Sequence, residues 1–151
     1  MSNAYYIAPD DWLNIVLRLC LALLIGSIIG VEREVKNKPA GLRTHMLVCL
    51  GSAVFVLIPL QIVSLQPSSD ALSRVIQGIA AGVGFIGAGE IVSNSSKTSQ
   101  RLKIHGLTSA ASIWVSAGLG ITAGFGLWRL GLIGAVLTFI VLKLFKRLED
   151  I

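Results

Sequence analysis

Apolar residues run through this chain in stretches long enough to cross a lipid bilayer, and the charged positions gather between those stretches. An α-helix needs about 20 apolar residues to cover the hydrocarbon core, and long basic side chains at its ends shorten the uncharged stretch required. Five segments meet that condition: residues 12–31, 46–65, 75–92, 106–123 and 127–145. The first contains Arg18, the second carries Pro59 and no charge, and the third is rich in glycine and closes on Glu90. The fifth is uncharged only over residues 130–142. It spans if Arg129 and Lys143 reach along their stems to the two interfaces, with Gly124, Phe125 and Gly126 forming a tight turn before it. A re-entrant or interfacial last segment is the rival reading. The predicted fold is an all-α membrane protein, a bundle of five transmembrane helices in one domain covering residues 1–151.

Cytoplasmic loops of membrane proteins hold the excess of Lys and Arg. The connector over residues 32–45 holds Arg33, Lys36, Lys38 and Arg43, the next connector on that side holds Lys97, Arg101 and Lys103, and the tail holds Lys143, Lys146 and Arg147, ten of the 13 basic residues. The expected topology is an amino terminus outside and a carboxyl terminus in the cytoplasm, with Trp12, Trp128 and Tyr5 or Tyr6 at the outer interface. The leading segment carries Asp10 and Asp11 and no small-x-small site follows, so it reads as a retained span and not a secretory signal.

Composition agrees. The mean hydropathy is +0.77, and 14% of residues are charged, against about 25% in a typical soluble domain. The basic excess of 13 over 8 sets topology here, and nucleic acid is not expected as a partner. Cys20 and Cys49 lie in apolar runs without metal-ligand spacing and read as packing residues. No Ser/His/Asp or Cys/His constellation is evident, so enzymatic activity is not expected. His45 and His105 read as interfacial anchors, with pH sensing as the functional alternative. Arg43, beside a span, is placed to meet a lipid phosphate, and residues 93–100 read as a polar linker.

Helices in lipid associate by close backbone approach and polar contacts. Three spans carry small or polar residues at four-residue spacing: Asn14, Arg18, Ala22, Gly26, Gly30 and Glu34; Gly78, Gly82, Ile86 and Glu90; Thr108, Ser112, Ser116, Gly120 and Gly124. These three faces are expected to meet, with Gly26, Gly30, Gly78, Gly82, Gly87 and Ser116 as the packing positions. Charge inside a span is costly and is kept for a reason. Glu90 closes a glycine-rich run and reads as a cation ligand, proton carrier or gate, or else as the partner of Arg33, Arg43 or Arg101. Arg18 is expected to snorkel toward Asp10, Asp11 or Asp70. A faint internal echo pairs residues 25–32 with 83–90 and 41–44 with 106–109, which would put Glu32 and Glu90 at similar depth.

The motifs Gly30-Val-Glu-Arg-Glu34, Ala40-Gly-Leu-Arg-Thr-His45 followed by Gly51-Ser-Ala53, Arg74 leading into Gly84-Phe-Ile-Gly-Ala-Gly-Glu90, and Gly106-Leu-Thr-Ser-Ala-Ala-Ser-Ile-Trp114 occur in that order. Together they closely resemble the MgtC/SapB family of bacterial membrane proteins over almost the whole chain. The resemblance covers the transmembrane domain only, without the carboxyl-terminal ACT-like domain of longer members, and no family role is carried over to Glu90. It implies an inner-membrane protein tied to survival at low magnesium and, in intracellular pathogens, to virulence. It also implies action on other membrane proteins, ATP synthase among them.

Two functional readings follow. In the first the protein is a membrane regulator that docks on itself, most simply as a dimer, or on a partner, with Arg33, Arg43 and His45 as a basic contact surface. In the second it is a cation carrier or channel, with magnesium transported or sensed and Glu32, Glu90, Thr108 and Ser112 lining the site. Ion- or partner-binding candidates are therefore Glu32, Arg33, Glu34, Arg43, His45, Glu90, Thr108 and Ser112. Glu32 and Glu90 are the metal candidates, and no resident cofactor is expected.

Overall fold

The computed structural model describes residues 11–62, 69–95 and 106–145, which form helices joined by short turns. These are α1 (Trp12–Val35), α2 (Leu42–Gln61), α3 (Ser69–Ser95), α4 (Leu107–Gly124) and α5 (Trp128–Ile140), and α5 runs on into a π-helical turn over Val141–Phe145. Helices α1 to α4 are long and apolar enough to cross a membrane. The 13 residues of α5 and five of the π turn amount to about 27 Å of helix, so the last segment has nearly the reach of a span. This is an all-helical membrane protein. Tyr5, Tyr6, Asp10, Lys97, Arg101, Lys103, His105, Lys146 and Arg147 lie outside the described residues.

The boundaries follow from local chemistry. Asp11 caps α1 by accepting the Asn14 N–H at 3.2 Å. The helix does not stop at residue 31 but continues through Glu32, Arg33 and Glu34 to Val35. It closes where Asn37 takes the left-handed backbone conformation (φ 50°), the Asn37 N–H bonding Glu34 O and the Lys38 N–H bonding Arg33 O. Four residues later α2 begins, its first amide, Leu42 N–H, accepted at 2.9 Å by Glu34 Oε2. The connector predicted over residues 32–45 is thus only a short turn. Glu32, Arg33, Arg43 and His45 belong to helices. At the opposite end of the bundle, α4 ends at Gly124 and the chain turns through Phe125 and Gly126 (φ 74°) into α5.

Helix α4 packs against each of the other four helices, and α1, α2 and α4 pack mutually. Glycine sets these distances. A Cβ on Gly26 would lie 2.8 Å from the Cα of Met46, and one on Gly30 2.7 Å from the Cα of Leu42. From the other side, a Cβ on Gly120 would lie 2.7 Å from the Cα of Cys49, and one on Gly124 2.9 Å from the Cβ of Val56. Both glycine stripes, of α1 and of α4, therefore press on α2 and bring backbones into contact.

The expectation that the first, third and fourth faces converge is corrected accordingly. The α1 and α4 faces do meet, Arg18 of one stripe bonding Gly124 of the other, but their glycines press on α2, and α1 and α3 are not a packed pair. Helix α3 packs on α4 and Gly87 faces Ala110 there, but Gly78 and Gly82 have no atom within 4 Å of where a Cβ would stand. They border an apolar groove of about 660 Å³ between α2 and α3, with Val48, Phe55 and Val83. The sequence pattern marks small residues; it does not say which neighbour they admit.

Candidate functional site

Buried polar side chains collect where α1, α2 and α4 meet: Glu32, Arg33, His45, Ser109, Ser112 and Ser116; buried Ser52 lines the α2–α3 groove instead. Helical spacing puts them there. Ser109, Ser112 and Ser116 share one face of α4 at intervals of three and four, and the hydroxyls of Ser112 and Ser116 donate back to the carbonyls of Ser109 (2.8 Å) and Ser112 (2.9 Å).

Arg33 Nη2 donates to Ser109 Oγ at 2.6 Å, joining α1 to α4. His45, 0% exposed, spans the other junction, with Nδ1 2.8 Å from Gly41 O and Nε2 3.0 Å from Ser112 Oγ. A carbonyl only accepts, so Nδ1 carries a proton. One α-helical turn further along, the Cys49 thiol donates to Ser116 O at 3.0 Å. His45 is not an interfacial anchor but a polar rivet between α2 and α4, and neither it nor Arg33 belongs to a contact surface.

Glu32 supplies the negative charge. Its Oε1 pairs with Lys36 Nζ one turn on, and its Oε2 lies 3.9 Å from Arg33 Nη1. Among the described residues, Glu32 Oε2 and Arg33 Nε have no hydrogen-bond partner. Lys36 also donates to Leu142 O at 3.2 Å, so one ammonium ties α1 to the π turn that ends α5. The arrangement is a buried knot of one acid, Glu32, with two bases, Arg33 and Lys36. Among the described residues no three His, Cys, Asp or Glu side chains group to hold a metal ion.

Other candidates separate from this knot. Glu34 is occupied in capping α2, Arg43 is exposed, and Thr108 is exposed one position out of phase with Ser109. Ser109, Lys36 and Cys49 went unmarked as site residues, although the three-and-four spacing of the α4 serines was the signal for Ser109. Arg18 does not snorkel to an outer carboxylate. Its Nη1 donates to Gly124 O at 2.7 Å and its Nε to Asn14 Oδ1 at 3.2 Å, which places a cation on the carbonyl end of α4.

Comparison with known proteins bears on the whole bundle. A model of the MgtC family matches residues 19–151. The chain is 48% identical to SrpB of Synechococcus elongatus over 99% of its length and 84% of that protein. It is 40% identical to YhiD of Escherichia coli strain K12, whose provisional description is magnesium transporter, over 88% of this chain and 61% of YhiD. It is 37% identical to MgtC of Salmonella typhimurium over 81% of this chain and 48% of MgtC, so it spans about half the length of that relative. No solved structure matches it. A bundle whose buried polar knot is built from the Gly30–Glu34, Ala40–His45 and Gly106–Trp114 motifs, matched by the family model from residue 19 to the last residue, belongs to the MgtC family.

Proposed function

We propose that this protein is an inner-membrane component of adaptation to low magnesium that acts by contacting other membrane proteins, not by carrying the ion. The magnesium link rests on the family and on the description of YhiD. The distribution of Lys and Arg supports an inner-membrane protein with its carboxyl terminus in the cytoplasm. The choice between regulator and carrier rests on one observation, that Glu32 is already engaged by Lys36 and Arg33 in a buried cluster. Magnesium demands near-octahedral oxygen ligation and gives up its waters reluctantly. An ion entering beside Glu32 would face an ammonium and a guanidinium at close range. The partner class is another membrane protein, ATP synthase being the one implied by the family resemblance.

Magnesium flux into liposomes holding the purified protein tests this, run beside Glu32→Gln, Glu90→Gln and empty vesicles. The expected flux equals that of empty vesicles in all three proteins, while the wild-type gene restores growth of a deletion strain at low magnesium. Flux above background that either substitution abolishes would make the protein a carrier.

A further inference from the structure

The groove between α2 and α3 owes its shape to glycine. At Gly51 on α2, and at Gly78 and Gly82 on α3, a Cβ would meet no neighbouring atom within 4 Å. The missing side chains hold open a space that leucines would fill. The groove follows α2 from Leu47 to Phe55 and α3 from Val75 to Ile86, about 12 Å and 17 Å of helix. That is close to the depth of one leaflet, since the hydrocarbon core is about 30 Å thick. Ser52 is the single polar side chain lining it. A volume of about 660 Å³ over about 17 Å gives a mean cross-section of roughly 40 Å², half that of a helix 10 Å across. The space suits hydrocarbon chains and is too narrow for another helix.

One end of this groove is marked by charge. Arg43 and Thr44 stand one helical turn before Leu47 and Val48, where the groove begins on α2, and so about 6 Å beyond its end. Arg43 is exposed and makes no hydrogen bond or ion pair with any described residue. On α3 the acid at the same end, Glu90, is one turn beyond Ile86 and is itself engaged.

We propose that the α2–α3 groove is a binding site for an anionic phospholipid, its acyl chain lying along Gly51, Gly78 and Gly82 and its phosphate held by Arg43. The length of the groove, its apolar lining and the position of the cation together select that occupant. A lipid running from headgroup to bilayer midplane needs one leaflet of apolar surface and a cation at the interfacial end, and the groove supplies both in that order. The forked N–H donors of a guanidinium fit phosphate oxygens, and the Thr44 hydroxyl is a second donor beside them. This inference is independent of the regulator reading above and holds for a carrier equally well.

Native mass spectrometry of the purified protein in detergent tests it, with phosphatidylglycerol and phosphatidylcholine of identical acyl chains as probes. One phosphatidylglycerol is expected to bind about five-fold more tightly than phosphatidylcholine, the effect of one basic side chain at an anionic surface. Arg43→Gln should bring the two lipids level, and Gly82→Leu, which fills the groove, should weaken both several-fold. Arg129→Gln at the opposite end of the bundle should change neither, and glycerol phosphate, a headgroup without chains, should not bind. In the unaltered protein, phosphatidylglycerol carrying a diazirine in its acyl chain should label Ile79 and Val83 saturably, which tests the site without any substitution. Equal binding of the two lipids by wild type, unchanged binding in Gly82→Leu, an equal loss in Arg129→Gln, label spread evenly over α5 and α3, or a dimer that closes the groove and binds no lipid would each overturn the proposal.

Discussion

Arg18 of α1 donates a 2.7 Å hydrogen bond from Nη1 to the carbonyl oxygen of Gly124, the last residue of α4. Its guanidinium also lies over Gly126, where a Cβ would come within 3.0 Å of Cζ. Arg18→Met keeps the apolar stem and removes the charged bond, and is expected to cost about 1.5–3 kcal/mol. Arg18→Lys should recover part of that loss, because a single ammonium reaches one acceptor but not the Asn14 side chain as well. Denaturation in mixed detergent micelles followed by circular dichroism measures both, and an Arg18→Met protein as stable as wild type would refute the assignment.

Between α2 and α4 the equivalent fastening is His45 with Ser112. His45→Ala removes two bonds and leaves a cavity in a fully buried place, for an expected loss of about 2–4 kcal/mol. Ser112→Ala removes the hydroxyl's bonds with His45 and Ser109 O but little volume, and should cost about 1–2 kcal/mol. A double-mutant cycle should return a coupling of roughly 0.6–1.7 kcal/mol, the range of side-chain bonds between membrane helices. Zero coupling would show that the two side chains do not interact.

The glycines offer a contrast within one residue type. Gly120→Ala forces α4 away from the Cys49 backbone and is expected to cost about 1–3 kcal/mol, as overpacking does. Gly78→Ala, with open space around the new methyl, should leave monomer stability within about 0.5 kcal/mol of wild type. Equal losses at the two positions would mean that α3 sits closer to α2 than its groove implies.

The charge knot predicts non-additivity. Arg33→Met leaves Glu32 with Lys36 alone and should cost about 3–5 kcal/mol, the penalty for breaking a buried pair from one side. Adding Glu32→Gln should bring the total below the sum of the single losses by more than about 1 kcal/mol, because no uncompensated carboxylate remains. The same denaturation assay reads the difference. Additive losses would show that Arg33 is held by Ser109 and not by Glu32.

What could be read directly from residues was what depends on a single helix. Hydrocarbon thickness sets span length, so the helix cores lie within the predicted segments. The turn at Gly124, Phe125 and Gly126 was legible because glycine there supplies the positive φ. Partners across helices were less legible. Arg18 was assigned to outer carboxylates because a lone cation in lipid suggests the interface, but the carbonyl end of α4 satisfies it inside the bundle. His45 was placed at an interface because the charged residues on either side suggested a loop, and the turn made by Asn37 and Glu34 shortens that loop until both helices include those charges. Thr108 stood in for Ser109 because a strict four-residue stripe drifts around a 3.6-residue helix.

The bond from Arg18 to Gly124 also joins residues 106 apart in sequence. At bacterial synthesis rates of 5–20 residues per second, roughly 5–20 s pass between the appearance of the arginine and of its acceptor. Through that interval α1 and α2 can close as a hairpin, since their turn is local, while the guanidinium waits in the insertion machinery or at the headgroups. Assembly of this bundle is therefore timed by its first intramembrane charge, which finds its native acceptor only after α4 has been made.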